Sequence, residues 1–190
     1  YYSEEGIKTI WTNTCSEIPL SAYDSCRLIT VNLKHFVKKR FTKDAFFDFI
    51  HFDRVVKAAM RLSDDLVELE LEKLNKILEI ADTDDEKALW NKLKDACENG
   101  RRTGLGTHGL ADAIANLNLA YDSDEALQII DKIYETLKLS AYTESVELSK
   151  ERGEFPVFNW EKEKDNLFIK SLPAELQKKI AEFGRRNISI

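Results

Sequence analysis

Four side chains capable of chemistry crowd into TNTCSEIPLSAYDSC, residues 12–26: the carboxamide of Asn13, the thiol of Cys15, the carboxylate of Glu17 and a second thiol at Cys26. Asn13, Cys15 and Glu17 occupy alternate positions, so an extended backbone sends all three to one face and turns Thr14 and Ser16 to the other. An amide, a thiol and a carboxylate on one face suit one small polar ligand. Pro19 removes an N–H and fixes φ, which predicts a shaped loop rather than a regular helix or a central strand.

The neighbours decide what kind of thiol Cys15 is. A thiolate beside a carboxylate is disfavoured, because like charges resist joint ionisation. A papain-type nucleophile needs a cation beside its sulfur, and this triplet supplies an acid instead. A thiol that keeps its proton suits hydrogen-atom transfer, in which S–H and a thiyl radical exchange hydrogen with carbon while the carboxylate takes a proton from a neighbouring hydroxyl. The plainer alternative is a helical scaffold or partner-binding domain with incidental thiols; it predicts Cys15 buried among apolar side chains and Glu17 in solvent. For Cys97, between Ala96 and Glu98 near a helix end, the plain reading is preferred: a small buried side chain.

Other chemistry-bearing residues read more simply. Gly104-Leu105-Gly106-Thr107-His108-Gly109 spells GxGxxG, but the stretch before it reads as helix and no second strand follows to carry a ribose-binding acid. A tight turn that brings backbone close to a neighbouring element is expected there. Arg101 and Arg102 beside it could meet a phosphate, and read more simply as a solvated helix exit. His35, His51 and His108 have no metal-ligand spacing, so no metal site is expected. Asp64-Asp65, Glu68 and Glu70 read as a solvated helix face with some pairing to Arg61.

The elements that must position these groups follow from periodicity. Arg27 to Leu33 (RLITVNL) alternates and is β-branched, a strand. Lys43 to Ile80 holds no Gly or Pro, with Thr42 as its expected cap. Two apolar rows, one through Phe52, Val55, Ala59, Leu62, Leu66 and Leu69, the other through Val56, Met60, Val67, Leu71, Leu74 and Leu78, make a helix that needs more than one neighbour. Thr83 or Asp84 caps a helix to about Glu98, Leu110–Leu119 reads as helix, Ser123 opens a long one that Gly153 ends, and Leu172-Pro173 starts a last one ended by Gly184.

Composition bounds the rest. A chain of 190 residues makes one domain with a sizeable core, burying roughly 70% of its unfolded surface. A net charge of -6 with no basic block argues against a nucleic-acid partner. No apolar run has the length of a membrane span and no signal sequence opens the chain. An odd cysteine count of 3 points to thiols in a reducing compartment, so a cytoplasmic protein is expected. The chain begins at Tyr1-Tyr2 and stops at Asn187-Ile-Ser-Ile190, which reads as half a strand, so a segment of a longer protein is expected.

The pattern Asn-x-Cys-x-Glu in NTCSEIPL, followed eleven residues later by the Cys of SAYDSCRL, resembles the catalytic large chain of ribonucleotide reductases, and most of all the adenosylcobalamin-dependent class II enzymes. The resemblance continues through RRTGLGTHGLAD and AYTESVELSKERGEFPVF to FGRRNISI. It implies an α/β fold: a slice, residues 1–190, of a ten-stranded α/β barrel, helix-dominated with a few short strands, whose central finger is the loop at 11–26 and whose open strand edges a second copy of the chain would cover. It implies that Cys15 carries the thiyl radical, that Glu17 is the base on the 3′ hydroxyl and that Asn13 orients the ribose hydroxyls. Cys26 would be one of two thiols that end as a disulfide, the other lying upstream, with an external thioredoxin-like dithiol to reset them. The implied activity is reduction of ribonucleoside diphosphates, with deoxynucleotide effectors bound by other parts of the protein and no turnover by this segment alone. A class I large chain served by a di-iron subunit is the alternative within the family.

Overall fold

Two long helices carry the fold in the computed structural model, which describes residues 2–16 and 18–190. The first, α1 (Phe49–Ile80), begins when the Asp48 carboxylate accepts from His51 N–H at 3.0 Å. It starts later than the uninterrupted stretch from Lys43 suggests. Thr42 donates its hydroxyl to Lys39 O instead of capping, and the residues between form a short antiparallel pair of β4 (Val37–Lys38) with β5 (Phe46–Phe47). The reason is apolar burial: Phe47 packs against Phe36 and Phe52, a gain that one more helical turn would forfeit.

The second long helix, α4 (Asp124–Arg152), follows its expected signals. Ser123 accepts from Ala126 N–H, Asp124 and Glu125 lie at the positive end of the helix dipole, Lys150 and Arg152 at the negative end, and Gly153 takes a φ of +85°. Phe52, Val56 and Met60 of α1 share one core with Ile133, Ala141 and Leu148 of α4 and with Leu33 and Phe36. A smaller cluster joins Val67, Leu71 and Leu74 to Cys97 on α2 (Asp84–Gly100), which Thr83 caps as expected. Most of the second apolar row of α1 is thus buried, together with Phe52 of the first, while Leu62 and Leu69 of the first stay about half exposed.

The strands form three two-stranded sheets among the described residues. β1 (Thr9–Thr12) and β2 (Pro19–Ser21) make an antiparallel hairpin, with Pro19 at the first position of its strand, where a missing N–H is tolerated. β3 (Arg27–Asn32) runs parallel to β6 (Thr103–His108), Arg27 opposite Thr103 and Asn32 opposite His108. The glycine segment is therefore a strand and not the expected tight turn. Gly104 and Gly106 lie inside it, ahead of α3 (Leu110–Asn116), whereas a dinucleotide fingerprint needs its glycines in the turn that follows a strand.

Beneath that sheet lies a layer of buried charge where solvated faces were expected. Asp64 is fully buried, accepting from Arg101 at 2.8 Å, Arg152 at 3.0 Å, Arg186 at 3.3 Å and Asn187 at 3.2 Å. Arg61 pairs instead with Glu144 and Glu151 on α4. Burial pushes the Asp64 carboxyl up, but Arg101, Arg186 and Arg152 outweigh it and hold the group below the usual carboxylate range. Arg101 and Arg102 are likewise buried and paired, the second with Asp24 at 2.7 Å, so neither is a solvated helix exit. Asn187–Ile190 is not assigned as strand, yet Ile188 N–H donates to Gly100 O and Thr103 N–H to Ser189 O, which lays this segment beside the start of β6.

The helices that follow, α5 (Trp160–Glu163), α6 (Leu167–Lys170) and α7 (Ala174–Phe183), join Val146 of α4 in a cluster of Ile169, Leu172, Leu176 and Ile180, with Trp160 of α5 partly buried against it. No helix among the described residues is long and apolar enough to cross a membrane.

Candidate functional site at the finger

The hairpin of β1 and β2 presents Asn13 and Cys15 on a turn rather than on an extended run. Ser16 N–H donates to Asn13 O at 3.0 Å and Asn13 N–H to Ile18 O at 3.1 Å, with Ser16 in the left-handed region at φ +65°. Asparagine is a preferred first residue of such a turn, since its side chain can bond to backbone further on. Here the Asn13 Oδ1 accepts from Ile18 N–H at 3.0 Å. That bond fixes which end of the amide faces the turn, so the Nδ2 donor is what Asn13 can offer a hydroxyl. Cys15 lies exposed at the apex, against the scaffold alternative that would bury it. Glu17 lies outside the described residues.

At the root of the finger stands Cys26, half-buried, immediately before β3. The residues on both sides of it are tied down. Asp24 accepts from Arg102 Nε, and Arg27 donates its Nε to Glu70 of α1 at 2.7 Å and its Nη1 to Arg102 O at 3.1 Å. The position of Cys26 is thus set by β6 and α1 together. Asp24, Arg27, Glu70 and Arg102 were not legible as parts of the site, because each partner lies more than forty residues from the other in sequence.

The opposite flank of the finger is anchored as well. The buried Tyr2 hydroxyl donates to Glu163 at 2.7 Å, and Arg185 holds the same carboxylate through bonds of 2.9 and 2.6 Å. Burial first and Glu163 second push the Tyr2 phenol up, so it stays a donor at every physiological pH. Tyr2, Thr9, Pro19, Arg102, Glu163 and Arg185 line a cleft of about 190 Å³ beside the hairpin. No group of three His, Cys, Asp or Glu side chains arranged to hold a metal ion occurs among the described residues.

The third thiol is inert by design of its surroundings. Cys97 is buried, and burial pushes its pKa up to about 11. Iodoacetamide at pH 8 is expected to modify Cys15 in the native protein while Cys97 reacts only after denaturation, an order that peptide mass spectrometry reads directly.

Comparison with known proteins identifies the family. Residues 3–190 match the family described as "Ribonucleotide reductase, barrel domain". A vitamin B12-dependent ribonucleoside-diphosphate reductase of Mycobacterium tuberculosis is 31% identical over 162 residues, covering 85% of this chain and 20% of that protein. Its counterpart from Thermoplasma acidophilum is 32% identical over 158 residues, covering 80% of this chain and 18% of that protein. Among solved structures, the class Id ribonucleotide reductase alpha subunit of Actinobacillus ureae superposes with a TM-score of 0.62 at 21% identity, covering 98% of this chain and 28% of that one, a likeness of fold. The chain spans about a fifth of the length of the relatives it matches. With a match running from residue 3 to residue 190, the chain belongs to the ribonucleotide reductase family, as a piece of its catalytic barrel domain.

Proposed function

We propose that the full-length protein reduces ribonucleoside diphosphates to 2′-deoxyribonucleotides by a thiyl-radical mechanism in which this chain supplies the radical-bearing finger. The observation that carries the reading is the exposed Cys15 at the apex of a hairpin whose root is Cys26. Ile10 and Trp11 on the same hairpin are also largely exposed, apolar surface that suits a finger enclosed by the ten strands of a complete barrel.

In this reading the Cys15 sulfur, as a thiyl, takes the hydrogen from C3′ of the ribose. Glu17 takes the proton of the 3′ hydroxyl, and the Asn13 Nδ2 donor orients the ribose hydroxyls. Loss of the 2′ hydroxyl as water follows once a thiol protonates it. Cys26 and an upstream cysteine supply two electrons and two protons and are left as a disulfide, and Cys15 returns its hydrogen to C3′. The net change is one ribonucleotide and two thiols to one deoxyribonucleotide, water and a disulfide, which an external thioredoxin-like dithiol reduces.

Relatives named as vitamin B12-dependent support adenosylcobalamin as the cofactor of the full-length protein. Its chemistry when bound is that of a one-electron oxidant of a thiol, and the chain offers it the Cys15 sulfur at an exposed turn beside neutral Asn13, Thr14 and Ser16. Deoxynucleotide effectors and a second copy of the protein are further partners under the same reading, and a reducing cytoplasm is its setting.

The roles of the two finger thiols separate in one experiment. Cys26→Ser in the full-length protein is expected to abolish deoxyribonucleotide formation while leaving Cys15-dependent release of hydrogen from 3′-tritiated substrate. A variant that keeps multiple turnovers, or that loses 3′ release together with reduction, would count against the assignment of Cys26.

A further inference from the structure

The backbone of β6 reserves a place for the Cys26 sulfur. A methyl group built on Gly104 would come 2.5 Å from Cys26 Sγ, 2.7 Å from Leu28 Cδ2 and 3.1 Å from Ile18 Cδ1. Carbon and sulfur do not approach so closely without bonding, so something must move. Leu28 is 57% exposed on β3 and can swing its end away. Cys26 has a single side-chain torsion, and its backbone neighbours are held by the Asp24–Arg102 and Arg27–Glu70 pairs. The sulfur can yield only by leaving its rotamer.

Two positions along the same strand stands an internal comparison. A methyl group on Gly106 would meet only Thr30 Cγ2, at an ordinary 3.8 Å. Both glycines lie in β6, opposite β3 residues in register, so their alanine variants share any effect on strand propensity. They differ in what the added carbon touches.

We infer that Gly104 is a positioning residue for the redox thiol: its missing side chain seats Cys26 against β6 and so fixes where that sulfur is delivered at the finger root. The inference rests on the proposed role of Cys26, and its test is arranged so that the two stand or fall separately. In the full-length protein, Gly104→Ala is expected to raise the alkylation rate of Cys26 about tenfold, because the displaced thiol moves toward solvent, with Cys15 unchanged. Gly106→Ala is expected to leave both rates at wild-type values. In turnover, Gly104→Ala should lower kcat about a hundredfold with KM unmoved, as expected for a reacting group displaced by about 1 Å, and should retain release of 3′ tritium.

Should Gly104→Ala fold poorly by circular dichroism, the Leu28→Ala/Gly104→Ala double variant removes one of the two closest contacts and leaves the sulfur as the group at 2.5 Å. Equal Cys26 reactivity in the Gly104 and Gly106 variants overturns the positioning role whatever happens to catalysis. Absent 3′ release in the wild-type protein overturns the reductase reading and leaves the alkylation result intact.

Discussion

Exchanging Cys15 for serine in the full-length protein is expected to bring ribonucleotide reduction to background. Serine keeps the size and the polarity of the side chain, and Cys15 is exposed on a turn held by Asn13 and Ile18 backbone bonds, so the finger should keep its shape. Under the proposed mechanism what changes is the bond that must be broken: an O–H is much stronger than an S–H, and an oxygen radical at this position is out of reach of the same oxidant. Glu17→Gln, which removes the proposed base and leaves the proposed radical site, is expected to cost about 10² to 10⁴ in turnover. Cys97→Ala should keep turnover, since that thiol is buried in the α1–α2 cluster and is not carried on the finger itself. Turnover that survives Cys15→Ser in a chromatographic assay of deoxyribonucleotide would end the radical assignment.

Asp64→Asn is expected to be the most damaging change to stability. The carboxylate is fully buried and answers three arginines and Asn187; without its charge Arg101 and Arg186 are left in the interior with, among the described residues, half-exposed Glu68 as their shared acid. Breaking such a group by removing one partner costs about 3–5 kcal/mol. For a domain of this size that is a fall in Tm of about 6–20 °C, readable by calorimetry. The pH dependence has a definite sign. Because the Asp64 carboxyl sits below its unfolded value, its contribution is fully present above an unfolded pKa of about 3.9 and is lost as pH falls through the lower folded pKa. The gap between wild type and Asp64→Asn should therefore be constant near neutrality and close only in strong acid.

Local chemistry made much of this fold readable. Thr83, Ser123, Gly153 and Gly184 punctuate helices through bonds to residues three or four away, and the alternation of RLITVNL made β3 plain. The cysteine-bearing stretch was legible because its residue types are rare together. What escaped was nonlocal. A strand built from Gly104 and Gly106 has little strand propensity of its own and exists because β3 lies beside it. Asp64 looked like an ordinary surface acid because its partners come from positions 101, 152, 186 and 187, which no periodicity connects. At the finger tip, alternation suggested an extended run, whereas Asn13 uses its own side chain to close a turn. The family's residue pattern located the tip without its backbone geometry.

Parallel pairing of residues 27–32 with 103–108 also sets an order of events during synthesis. The pair spans all of α1 and α2, and the cost of closing so long a stretch has to be met before the strands reward it, whereas the helices form from near neighbours. Cys15 and Cys26 leave the ribosome well ahead of Gly104. For that interval both sulfurs travel without the strand whose Gly104 comes to lie against Cys26.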